Sequence, residues 1–169
     1  MAAKKLLRLV SGVITEVFGI QTSAGAGNAG DIVALDDSGR IDSSMMPVGI
    51  GADTAVIVAS EALAAGDFVN VWNDTGTAKV RKADATVAGK DAHGFVLAAV
   101  ASAGNATVYF EGTNTQVTGQ TAGNVFLQTT AGAGGSTVPS ATGNVVQQIG
   151  VATSATAINF ERGVPVTLA

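Results

Sequence analysis

Ala65-Gly66-Asp67-Phe68-Val69-Asn70-Val71-Trp72 is the stretch on which the fold turns. A Gly-Asp turn signal opens a run of β-branched and aromatic residues that is too short for a helix and reads as a strand. The opening recurs as Ala122-Gly123-Asn124-Val125-Phe126. Gly94-Phe95-Val96 lies 28 residues past Gly66, and Gly150-Val151-Ala152 lies 27 past Gly123. Each copy then ends on an aromatic followed by glutamate, Phe110-Glu111-Gly112 in one and Phe160-Glu161-Arg162-Gly163 in the other. Agreement at three places in the same order predicts a duplicated β module over 66–112 and 123–163. Each module is too small to close its own core, so the two pack together.

Further strand-like runs are Val56-Ile57-Val58, Thr107-Val108-Tyr109-Phe110, Val145-Val146 and Ala157-Ile158-Asn159-Phe160, with Gly, Asn and Asp between them. The fold class expected is all-β, a sandwich or barrel-like body over 51–169 built from the two modules. Residues 1–50 form an extended N-terminal arm and linker, because Gln21 to Gly30 is almost wholly Ala, Gly, Ser, Thr and Asn. Helical candidates are confined to Ala2–Val10 and a short turn near Ser60–Ala65.

Composition explains why such a chain would need neighbours. Of 169 residues, 30 are Ala, 22 Gly and 18 Thr, while aromatics make up 5% and charged residues 13%. Small side chains bury little area each, at about 25 cal/mol per Å². A thin core is the consequence. Net charge is -4, the wrong sign for a protein held to nucleic acid by phosphate contacts. The absence of cysteine removes disulfides and thiol chemistry. No run approaches the ~18 apolar residues of a membrane span. Arg8 and Glu16 break the apolar start, which reads as mature sequence rather than as a signal peptide.

Charge is also unevenly placed. Lys4, Lys5 and Arg8 open the chain, and Lys79, Arg81, Lys82 and Lys90 form a basic patch around Asp84. Gly112 to Phe160 carries no charge for 49 residues. Exposed sheet surfaces of a free monomer usually carry Lys or Glu, so this span suggests packing against another protein. Large apolar residues gather in the arm as Leu6, Leu7, Leu9, Val13, Ile14, Val17 and Phe18, with Met45 and Met46 further on. These nine and Trp72, at the end of the strongest strand run, are the candidate contact residues.

Chemistry-bearing motifs are sparse. Gly25-Ala26-Gly27-Asn28-Ala29-Gly30 has the letters of a dinucleotide loop, but no strand precedes it and no helix follows, so its N–H groups would not converge on a pyrophosphate. His93, the single histidine, sits near Asp91 and Ser102, which invites comparison with a hydrolase triad. Its Gly-Lys-Asp-Ala-His-Gly setting reads instead as a turn. Asp31, Asp36, Asp37 and Asp42 lack the spacing of a calcium loop. Glu111 and Glu161 would suit paired carboxylates of a glycan hydrolase, yet the duplication accounts for them without chemistry. No catalytic, metal or cofactor-binding residue is assigned.

Two segments carry a family resemblance. Ala29-Gly30-Asp31-Ile32-Val33-Ala34-Leu35-Asp36-Asp37-Ser38-Gly39-Arg40-Ile41-Asp42-Ser43-Ser44-Met45-Met46-Pro47-Val48-Gly49-Ile50-Gly51 resembles a segment of structural proteins of tailed bacteriophages. Gly143-Asn144-Val145-Val146-Gln147-Gln148-Ile149-Gly150-Val151-Ala152, continuing to Phe160, resembles the closing module of small capsid decoration (cement) and head-fibre proteins. The resemblance implies a non-enzymatic virion protein on the capsid exterior, assembled in the bacterial cytoplasm. It would bind the major capsid protein as a homo-oligomer, a trimer rather than a dimer, and bridge neighbouring capsid subunits. No cofactor, nucleic acid or membrane is implied. The alternative is a head-fibre or tail-fibre component that binds a host-surface glycan. Several decoration proteins are a compact body alone, and the N-terminal arm departs from that pattern.

Overall fold

The computed structural model describes residues 5–46 and 52–169. Met1–Gly51 and Ala52–Ala169 are two compact units. In the first, β1 (Lys5–Val10) and β2 (Val13–Phe18) pair antiparallel from Lys5 opposite Phe18 to Val10 opposite Val13. Ser11 and Gly12 form the two-residue turn with φ of 50° and 84°, the left-handed pair whose twist matches the strands it joins. A helix over Ala2–Val10 is therefore corrected from Lys5 onward, and residues 2–4 lie outside the described residues. The run Leu6-Leu7-Arg8-Leu9-Val10 is apolar on both faces and has no period of 3.6 to hold it as a helix.

After the hairpin the chain turns back through single contacts. Ile20 bridges Val33 in parallel, its N–H donating to Ile32 O at 2.9 Å. Two short 3-10 turns follow, Gly25–Asn28 and Ser43–Met45. Asp42 caps the second, its carboxylate accepting from Ser44 N. Asp36 accepts from the N–H groups of Arg40 and Ser38 and from the Ser38 hydroxyl. These bonds, the Arg40 N–H foremost, hold its carboxyl below the usual range.

The regular elements of the second unit are all strands: β3 (Thr54–Ala59), β4 (Phe68–Asp74), β5 (Thr77–Lys82), β6 (Gly94–Val96), β7 (Asn105–Tyr109), β8 (Gly112–Asn114), β9 (Gly123–Leu127), β10 (Gly134–Gly135), β11 (Val145–Val146), β12 (Gln148–Ser154), β13 (Ala157–Phe160) and β14 (Val166–Thr167). β3-β5-β4-β6-β7 closes as a barrel, and β10-β9-β12-β13-β8 forms a five-stranded sheet. Ser60–Ala65, expected as a helical turn, is irregular, with Leu63 bridging Val100.

Both sheets follow one connectivity. Putting β8 for β3, β9 for β4, β10 for β5, β12 for β6 and β13 for β7 converts one strand order into the other. The single difference is closure, because β3 pairs in parallel with β5 whereas the two glycines of β10 pair only with β9. Each repeat thus begins one strand earlier than 66 or 123. The equivalence extends to close contacts. A Cβ at Gly94 would lie 2.4 Å from Tyr109 O, and one at Gly150 only 2.1 Å from Asn159 O.

Period-two alternation divides the apolar residues between two cores. Val69, Val80, Val96, Ala106 and Val108 fill the barrel with Ala59 and Leu63. Their neighbours Phe68 and Phe95 point the other way and join Val125, Leu127, Ile149, Ile158 and Phe160 of the second sheet. Phe160 stacks on Phe68 at 5.9 Å and meets Phe95 edge-on at 5.7 Å. Buried Gln147 adds a polar tie: its Oε1 accepts from Ala92 N, and its Nε2 donates to Ala92 O and Gly163 O. This satisfies backbone groups that would otherwise be buried without partners.

Candidate interaction surface

Seven of the candidate contact residues come together on the hairpin. Alternation places Leu7 and Leu9 of β1 on one face with Ile14 and Phe18 of β2, since residues directly opposite share a face. All four are exposed, Leu7 at 74%, Ile14 at 70%, Leu9 at 67% and Phe18 at 58%. Lys5 and Glu16 complete this face and pair at 2.6 Å, with the Lys5 ammonium 5.5 Å from the Phe18 ring. The other face carries Leu6, Arg8, Val10, Val13, Thr15 and Val17. It is less exposed on the whole, with Thr15 and Val17 half-buried and a Cβ at Gly30 only 3.9 Å from the Arg8 guanidinium, although Leu6, Val10 and Val13 are exposed there too.

Met45 and Met46 belong to the same unit, half-buried and exposed respectively. Among the described residues of this unit, no large apolar side chain is buried. A two-stranded ribbon without a covered face is marginal in water.

Trp72 lies apart, in the second unit. Its indole N–H donates to Ser60 Oγ at 3.3 Å, and the Arg81 guanidinium sits 4.9 Å over its ring. It is half-buried on β4, with one ring face already covered by that cation. The basic patch expected around Asp84 resolves into local pairs: Lys79 with Asp74, Lys82 with Asp67 and Lys90 with Asp84. At Asp84 burial works to raise the carboxyl, but the Thr86 hydrogen bonds and Lys90 outweigh it and the net shift is downward.

A second feature joins residues that sequence reasoning had named separately. An open cleft of about 620 Å³ at the ends of β7 and β13 is lined by Phe110, Glu111, Glu161 and Arg162. Asp53, His93, Phe110 and Arg162 line its neighbour. Asp91 Oδ2 lies 3.0 Å from His93 Nε2 and accepts from Arg162 Nη2 at 3.2 Å. His93 Nδ1 in turn accepts the Val71 N–H at 3.0 Å. The lone pair a general base would use is therefore engaged by the backbone, and the Ser102 hydroxyl donates to Ser60 O instead. Glu111 and Glu161 were visible as matching ends of the repeat. Arg162 stood in the second of those ends without a counterpart in the first, and Asp53, a single charge between Ala52 and Thr54, carried no signal.

The calcium candidates do not converge: among the described residues no three His, Cys, Asp or Glu side chains are grouped to hold a metal. The uncharged span forms strands β8 to β13, and Thr113, Asn124, Val151 and Asn159 make one exposed row across four of them. No helix among the described residues is long and apolar enough to cross a membrane. No protein-family model, curated protein or solved structure matches the chain significantly.

Proposed function

We propose that this chain is a structural subunit of a tailed-phage particle, a decoration protein that attaches to the outside of the capsid and bridges major capsid subunits. The observation that carries the reading is the first unit, which displays its large apolar side chains instead of burying them. A segment of that kind gains its order from a partner, at an entropic cost of about 1–2 kcal/mol per fixed backbone residue. The second unit supplies the opposite property, a body with two satisfied cores and no buried side-chain polar atom left without a partner among the described residues. Together they suit a rigid body carried on an attachment segment. Burying surface across subunits that would have to separate when the shell opens stabilises the shell by mass action.

Adding the purified protein to particles that lack it is expected to give saturable binding and ordered external density by cryo-microscopy, with release of packaged DNA at a higher temperature. Unsaturable or absent density overturns the proposal. Single replacement of His93, Glu111 or Glu161 by Gln is expected to leave binding within a few-fold of wild type. Turnover of a polysaccharide or peptide that disappears in one of these variants would establish an enzyme instead. Glycan recognition by a fibre component is the weaker reading, because the sole tryptophan already carries Arg81 over one ring face and binds Ser60 through its indole N–H.

A further inference from the structure

We infer that the hairpin face bearing Leu7, Leu9, Ile14 and Phe18 is covered by the same face of other copies of this chain, so that the N-terminal unit is an oligomerisation element. The inference names the partner of the surface on which the proposed function rests. Three observations lead to it.

The first is exposure. The four residues of this face are all more than half exposed, whereas on the opposite face Thr15 and Val17 are half-buried and Leu6 and Val10 are exposed at 39% and 43%, with Val13 alone of its apolar residues above half at 63%. The face of Leu7, Leu9, Ile14 and Phe18 is the more exposed of the two apolar faces. The second is charge. Lys5 and Glu16 are the two charged residues on the face, and they neutralise each other at 2.6 Å. An identical face can close over it without stranding an unpaired charge, whereas a strongly charged partner surface would find no counter-charge there.

The third is area. Four side chains of this size at these exposures present on the order of 500 Å² per copy, so two copies remove about 1,000 Å² in all, the threshold of a specific contact. Three ribbons around one axis, each offering this face inward, would close the surface more fully. That arrangement agrees with a trimer.

The experiment is sedimentation equilibrium of the full chain from 1 to 100 micromolar, without particles, beside two variants. The wild type is expected to be oligomeric. The double variant Leu9→Lys with Ile14→Lys is expected to shift the dissociation midpoint at least tenfold towards monomer, while its circular dichroism and the melting of its body stay those of wild type. Val164→Lys, at the most exposed large apolar residue of the body, is expected to keep the wild-type oligomer. A monomeric wild type overturns the inference, and so does a double variant that associates as tightly as wild type. An oligomer that fails to bind particles would remove the proposed function and leave this inference standing.

Discussion

A protein reduced to Ala52–Ala169 is expected to melt cooperatively with a β-type circular dichroism spectrum, yet to bind undecorated particles at least tenfold more weakly than the full chain. The first half follows from where the cores lie. Phe68, Phe95, Leu127, Ile149 and Ile158, with the valines inside the barrel, are fully buried, and no member of either core comes from residues 5–46. The second half follows from what the removed unit displays. In the full chain, burial of Leu7, Leu9, Ile14 and Phe18 between copies contributes on the order of 6–12 kcal/mol gross at about 1.5–3 kcal/mol each, before the ordering cost of the segment. Loss of self-association would also turn a multivalent attachment into single contacts, and avidity alone is worth about 10²–10⁴-fold. Co-sedimentation with particles measures the difference. Equal binding would mean that the body carries the attachment and that the hairpin does not.

Gly150→Ala and Gly94→Ala are each expected to destabilise the body by about 3 kcal/mol or more, at the far end of single-substitution effects. At Gly150 the added carbon would lie 2.1 Å from Asn159 O, and at Gly94 it would lie 2.4 Å from Tyr109 O. Both oxygens are backbone atoms of the adjacent strand, whose position is fixed by pairing of Gly150 with Phe160 and of Phe95 with Tyr109. Relief would require parting the strands. Gly150 also has φ of 139°, which strains any L side chain. Gly143→Ala is the control, with φ of 82° but nothing within 4 Å. There the backbone alone should cost about 1 kcal/mol. Urea titration followed by circular dichroism distinguishes the cases, and a wild-type midpoint for Gly150→Ala would show that the ladder yields more easily than its pairing implies.

The strands that could be read in advance were those whose side chains alternate between two buried surfaces. Phe68-Val69 and Phe95-Val96 are of this kind, because the barrel takes one residue and the second sheet the next. β5 was hidden by its charges: Lys79, Arg81 and Lys82 read as a basic patch, although Val80 between them is fully buried. β8 and β10, Gly-Thr-Asn and Gly-Gly, have no strand composition at all. Their place comes from the ladder they join, which is why the repeat was visible only from its second strand onward. The hairpin could not be separated from a helix because both of its faces are apolar, even though Ser11-Gly12 is the turn that an antiparallel pair requires. Of the cleft, repetition exposed Glu111 and Glu161. The bond that holds Arg162 there goes to Asp91, a partner 71 residues away in the chain that no local pattern could supply.

The parallel seam between β3 and β5 has a kinetic meaning. β4 and β5 are joined by two residues, Thr75 and Gly76, and can pair as soon as both exist. β3 has no such local partner: it faces β5 at Val58 opposite Lys79, and its long ladder runs from Thr54 opposite Tyr109 to Val58 opposite Asn105. Long loops must close before those contacts reward the chain, so barrel closure belongs to the slow phase of folding. Trp72 is placed to report it, since its indole is tied to Ser60 at the very end of β3. During refolding its fluorescence should therefore change after most of the β signal has appeared, and simultaneous change in both would mean that β3 docks early. On the ribosome the order has a sharper consequence. The apolar hairpin emerges before the body, while the strand that follows it in sequence waits for the last contact of the barrel, so nascent chains can meet through their hairpins before their bodies are closed.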